Sequence, residues 1–164
     1  MSDPDVARSA YGLFCEDIRH EQAAQVSLVG VFPARIRVQT FPFNFPKFVV
    51  YTVINIPIAE PPKKILVEVT ATWSSEPLLR FDIDAEVQEA NVGAAPEANL
   101  PDAKMFEMRF SPTMFGLEVP KPGRVTGVIR IDDQPFPPFV LRIDGADAPP
   151  VPQPFHTQVR PQKS

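Results

Sequence analysis

Cys15 and His20 are the first residues in the chain whose types could do chemistry. A thiol becomes a nucleophile when a base lies within hydrogen-bond reach and a third group orients that base. Here the two residues are five apart and no orienting group is specified. Cys15 also sits in an apolar run, Leu13-Phe14-Cys15, where a free cysteine ordinarily serves as a small buried hydrophobe. His156 is the other histidine, and two histidines with one cysteine cannot complete a four-ligand zinc site without carboxylates. The sequence has no His-Glu-x-x-His pattern, Gly-rich phosphate loop or nucleophile elbow. The expectation is a protein that is not an enzyme and carries no cofactor.

Aspartates are the stronger chemical candidates. Asp132, Asp133, Asp144 and Asp147 flank the last pair of expected strands, and Asp82 and Asp84 share one strand face. Loop aspartates gathered at one end of a β-sandwich could supply the six to eight oxygens that Ca²⁺ takes. Against this, Arg80, Arg130 and Arg142 alternate on the same outer faces. Cross-strand Arg–Asp pairs account for the aspartates without a metal. Asp132, Asp133, Asp144 and Asp147 therefore stand as weak metal candidates, and no metal is expected.

The elements that would position these residues are short and numerous. The chain has 164 residues, enough for one domain with a real core. It holds 21 prolines, well above the usual share of about 5%. Proline is excluded from helix interiors and central strands, so this many means frequent reversals and edges. Period-two alternation is clearest over Ile65 to Trp73, where Ile65, Val67, Val69, Ala71 and Trp73 face one way. It recurs over Arg35 to Gln39, Leu79 to Asp84, Met105 to Phe110, Arg124 to Asp132 and Phe139 to Asp144. Val49 to Ile56 is apolar on both faces and reads as a central strand. Residues 6–25 fit either a helix (Val6, Ala10, Phe14 and Ile18 share helical spacing) or a strand over 8–15 followed by a helical turn and a strand over 26–32. The second reading is preferred.

The expected fold is all-β: one antiparallel two-sheet sandwich of about eight to ten strands over residues 1–145, with a proline-rich extended tail over 146–164. Residues 85–102 read as a surface excursion. Phe41, Phe43, Phe45 and Phe48 lie in an aromatic–proline stretch that reads as a loop. It either plugs one end of the core or meets a partner. Pro149, Pro150, Pro152, Pro154 and Phe155 in the tail are the other expected partner contacts.

Net charge is −4 and the basic residues are scattered along the sequence, with only Lys63 and Lys64 adjacent. Nucleic acid as a direct ligand is not expected, although a patch formed by folding is left open. A single cysteine allows no intrachain disulfide, which suits a reducing compartment. No secretory signal or membrane-length apolar run is visible, so cytoplasmic synthesis is expected.

Cys15-Glu16-Asp17-Ile18-Arg19 with Glu21, followed by Ser27-Leu28-Val29-Gly30-Val31-Phe32, resembles the opening of an uncharacterised family of small bacterial and phage-encoded β proteins. The likeness covers residues 13–32. It transfers no catalytic residue, because that family has no established activity. Its occurrence in phage genomes implies a virion part. Two functional expectations follow. The first is a non-catalytic structural or interaction module, a subunit of an oligomer or a larger particle such as a phage head or tail. The second is a small sandwich that binds a sugar, a peptide or calcium.

Overall fold

The computed structural model describes residues 7–22, 25–84 and 104–148, which form two stacked sheets that do not close into a barrel. Sheet I holds β1 (Ser9–His20), β2 (Val26–Val31), β4 (Phe43–Pro57), β7 (Met105–Phe110) and β8 (Thr113–Val119). Sheet II holds β3 (Arg35–Val38), β5 (Lys64–Ala71), β6 (Leu79–Asp84), β9 (Gly123–Ile131), β10 (Gln134–Pro135) and β11 (Phe139–Gly145). This is the expected sandwich. Expectations on residues 85–102 and on the tail beyond residue 148 lie outside the described residues.

The fifteen-residue β4 is the spine of sheet I. Its run of β-branched residues suits a strand buried on both faces. β1 pairs along one side, while β8 covers the first half of the other side and β7 the second half. Sheet II runs β3-β11-β9-β5-β6, and its inner face carries Ile65, Val67, Val69, Val125, Ile129, Ile131, Leu141 and Ile143, all essentially inaccessible. The alternation read from sequence in β5, β9 and β11 is therefore the alternation of core and solvent.

Three expectations are corrected. Residues 16–20 continue β1 rather than forming a helical turn: Asp17, Ile18, Arg19 and His20 pair with Val29, Leu28, Ser27 and Val26. The reversal lies between Glu21, whose N–H donates to the Gln25 carbonyl, and Gln25. Cross-strand pairing decides this local ambiguity, which helical spacing alone could not. The aromatic–proline stretch is likewise not a loop from Phe43 onward, but the start of β4, paired with Val119 to Thr113. Pro46 is tolerated there because it faces Gly116, whose φ is +64°, and the regular alternation slips at that point. Phe45 and Phe48, three positions apart, consequently both reach the core. Finally, β3 pairs with β11 in parallel, not antiparallel, because the chain crosses from the edge of sheet I to the edge of sheet II through Phe32-Pro33-Ala34.

The core falls into two clusters. One gathers around Ile54, Ile56, Ile65, Ile129 and Ile131, and the other around Phe14, Phe48, Val50, Leu141 and Ile143. Phe139 packs against both. Its ring lies between Gly12 of β1 and Gly127 of β9, so that a Cβ at either glycine would come within 2.4 or 2.1 Å of it. Both sheets give up a side chain at this level, and one aromatic ring fills the space.

Candidate interaction surfaces

The outer face of sheet I is unusually apolar for a solvent side. Odd-numbered residues of β1, and of β4 beyond Pro46, point outward there, and Cys15, Val49, Tyr51 and Val53 are buried on it. Around them Tyr11, Val31 and Phe115 remain 52%, 49% and 75% exposed. Register sets out this face: Val31, Cys15, Val49 and Thr113 form one cross-strand row and Tyr11, Val53 and Arg109 another, so Tyr11, Val31 and Phe115 stand apart around a buried centre. Phe115 lies opposite Lys47, beside the Asp17–Lys47 ion pair. The Glu107–Arg109 pair lies on the β7 edge of the same sheet.

A groove of about 520 Å³ opens at one end of the sandwich. Phe32, Ile36, Val38, Phe43 and Phe45 give it an apolar lining, with Glu16, Arg37, Gln39 and Lys47 as its polar residues. The aromatic rings brace one another, Phe32 against Phe45 at 5.3 Å and Phe43 against Phe45 at 4.9 Å between centroids. β3 borders the groove and is the edge strand of sheet II. Among the described residues its outer side has no strand partner.

Among the expected partner residues, Phe45 and Phe48 are buried in the core, and Phe41 and Phe43 are half-buried against it. Only Phe43 and Phe45 reach the groove. Pro149, Pro150, Pro152, Pro154 and Phe155 lie outside the described residues. Phe115, Tyr11 and Val31 were missed in the sequence. An outward aromatic in an edge strand looks the same in one dimension as an inward one, and Gly116 beside it was the available signal.

Cys15 and His20 do not meet. Their odd separation along β1 places them on opposite faces, about 16 Å apart along the strand. The Cys15 sulfur is inaccessible and lies 3.4 Å from the Asp17 carbonyl oxygen. Burial pushes the thiol above its ordinary 9.0. The four candidate aspartates do not meet either. Asp132 follows the last residue of β9, whereas Asp144 lies beyond the register of Gly123 at the other end of that strand, about 33 Å away along it. Asp132 accepts from the Lys63 and Lys64 N–H groups at 2.7 and 2.9 Å and from Arg8 at 2.8 Å, bracing the Asp132-Asp133 turn. Asp133 and Asp147 are exposed. Among the described residues no three His, Cys, Asp or Glu side chains gather in a way that could hold a metal ion. Trp73 is half-buried over Gly123 and against the core rather than displayed to solvent. No helix among the described residues is long and apolar enough to cross a membrane.

Fold and surfaces together define an all-β sandwich domain with an apolar outer sheet face and an aromatic end groove. The chain belongs to the family of unknown function DUF6941, whose model matches residues 10–144 and so spans every strand but the first residue of β1 and the last of β11. No curated protein matches the sequence.

Proposed function

We propose that this domain is a non-catalytic structural or interaction module that docks a protein partner, or a further copy of itself, on the outer face of sheet I. The observation that carries the reading is the exposed trio Tyr11, Val31 and Phe115 on a sheet face whose centre is already apolar. Each exposed apolar side chain that a partner covers is removed from water, which favours association. Flanking ion pairs at Asp17–Lys47 and Glu107–Arg109 would give such an interface a polar rim. The sequence likeness to phage-encoded β proteins supports a place in a larger particle, and flanking capsid or tail genes would bear on that directly. Light scattering across a range of concentrations tests the self-assembly arm, and recovery of a defined complex from the native host tests the partner arm. Reversible association that Phe115→Ser weakens supports the reading. A strict monomer that forms no complex, or a complex indifferent to Phe115→Ser, refutes it.

The groove favours a second reading, that of a small sandwich binding an extended apolar peptide. Its lining is aromatic and aliphatic, and it adjoins an open strand edge. A thermal-shift screen with short peptides, sugars and Ca²⁺ tests it, since a ligand of the folded state alone raises the melting temperature.

A further inference from the structure

Arg35, Arg142 and Arg124 stand side by side across three adjacent strands. Arg35 of β3 is in register with Arg142 of β11, which is in register with Arg124 of β9. Their chain neighbours Ile36, Leu141, Ile143 and Val125 pack in the core, so the arginines hold the outward positions. Strands lie about 4.8 Å apart, so the three side chains leave the backbone within about 10 Å. Like charges directly opposite one another destabilise a sheet, and here that arrangement occurs twice in one row. Arg37 adds a fourth cation, opposite Asp144.

Asp144 is the single countercharge in this row. Its side chain is only 9% exposed and accepts from Arg35 Nε and, at 3.1 Å, from Arg142 Nε. Burial pushes its carboxyl up, but the two guanidiniums outweigh burial and hold it below the usual carboxylate range. Arg124 and Arg37 have no carboxylate partner among the described residues. Next to the row, Thr72, Pro122, Gly123, Arg124, Arg142 and Asp144 line a recess of about 290 Å³. Thr72 Oγ1 accepts from the Arg124 N–H at 3.0 Å, which leaves the hydroxyl proton to donate elsewhere.

We propose that this recess binds an oxyanion group, a phosphate or a carboxylate, with Arg124 and Arg142 as its direct ligands and Asp144 as the residue that positions Arg142. The fork of an arginine matches both oxyanions. A local rule broken without a structural gain is the mark of a functional position, and the arginine row breaks the rule against facing like charges. The patch also reverses the sign of a chain whose net charge is −4, so an acidic ligand would be oriented toward this one face.

The test is calorimetric titration of the full chain at low ionic strength with pyrophosphate and, separately, with citrate. Binding of either supports the site, and the preferred probe tells phosphate from carboxylate. Arg124→Ala removes an exposed side chain, so the fold is expected to persist, and it should weaken binding about tenfold. Arg130→Ala is the control, on the same face of β9 but about 20 Å along the strand, and should leave affinity unchanged. The proposal fails if neither probe binds, or if Arg130→Ala weakens binding as much as Arg124→Ala.

Discussion

Replacing Gly127 with alanine should destabilise the domain, because it places a methyl group on the inner face of β9 against the Phe139 ring. The new Cβ would lie 2.1 Å from Phe139 Cζ and 2.3 Å from Cε2. Carbon atoms in comfortable contact sit about 3.5–4.0 Å apart, so the ring must retreat by about 1.5 Å. It has nowhere to go. A Cβ at Gly12 would lie 2.4 Å from the same ring, and the Phe14 ring is 4.8 Å away between centroids. Overpacking of this kind costs about 1–3 kcal/mol, and the two-sided confinement places Gly127→Ala near the upper end. Alanine restrains the unfolded chain more than glycine does, which offsets about 0.4–1 kcal/mol and leaves a net loss of about 2 kcal/mol. Phe139→Leu alone should also destabilise the domain, through the volume lost between the sheets. In the Phe139→Leu background the clash is relieved, so Gly127→Ala should cost well under 1 kcal/mol, giving a coupling of about 1–2 kcal/mol. Urea denaturation followed by the fluorescence of Trp73, the only tryptophan, reads all four corners of the cycle. Additivity within about 0.5 kcal/mol would show that Phe139 is not clamped between the two glycines, and the account of the bridged core would be wrong.

Other outcomes follow from individual groups. Asp17 is held below the usual carboxylate range first by its hydrogen bond from Lys47, and Asp132 and Asp144 are held there because their partners outweigh burial. A folded-state pKa below the unfolded value of about 3.8 contributes stability that is present above it and lost as pH falls through the folded value. The urea midpoint should therefore change little between about pH 5 and 7 and drop below about pH 4; a midpoint that rises on acidification would contradict these pairings. Cys15 should resist thiol reagents in the native protein at mildly alkaline pH and react at once in denaturant, because its sulfur is inaccessible and burial keeps it protonated. Rapid labelling of the native state would show that sheet I opens locally. Asp133 has φ +66° in the β9–β10 turn, so Asp133→Gly should raise stability by about 0.5 kcal/mol in the same urea assay, whereas Asp133→Val should lower it. Asp132→Ala should cost about 1–3 kcal/mol by removing the acceptor for two backbone N–H groups and Arg8.

The strands whose inner residues alternate strictly, β5, β9 and β11, were legible in the sequence because one face is core and the other solvent. β4 was legible for the opposite reason, since apolar residues on both faces fit only a central position. Its beginning was not, because Pro46 and the flanking phenylalanines imitate a loop, and their tolerance depends on Gly116 in a strand seventy residues later. The length of β1 was hidden in the same way: Asp17 and Arg19 look like turn residues until Val29 and Ser27 pair with them. On the surfaces, sequence spacing found the aspartates but assigned them to one end, whereas the strand directions send Asp132 and Asp144 to opposite ends. Arg35, Arg124 and Arg142 looked scattered for the same reason. Only register turns their distance along the chain into a row.

The parallel seam between β3 and β11 joins two distant parts of the chain beside the oxyanion recess. Arg35 and its countercharge Asp144 lie 109 positions apart in the sequence. Until β11 docks between β3 and β9, Arg35 lacks the carboxylate that it meets in the finished sheet. Arg142 and Asp144 arrive on the same strand, so the recess and the carboxylate that orders it form in one step.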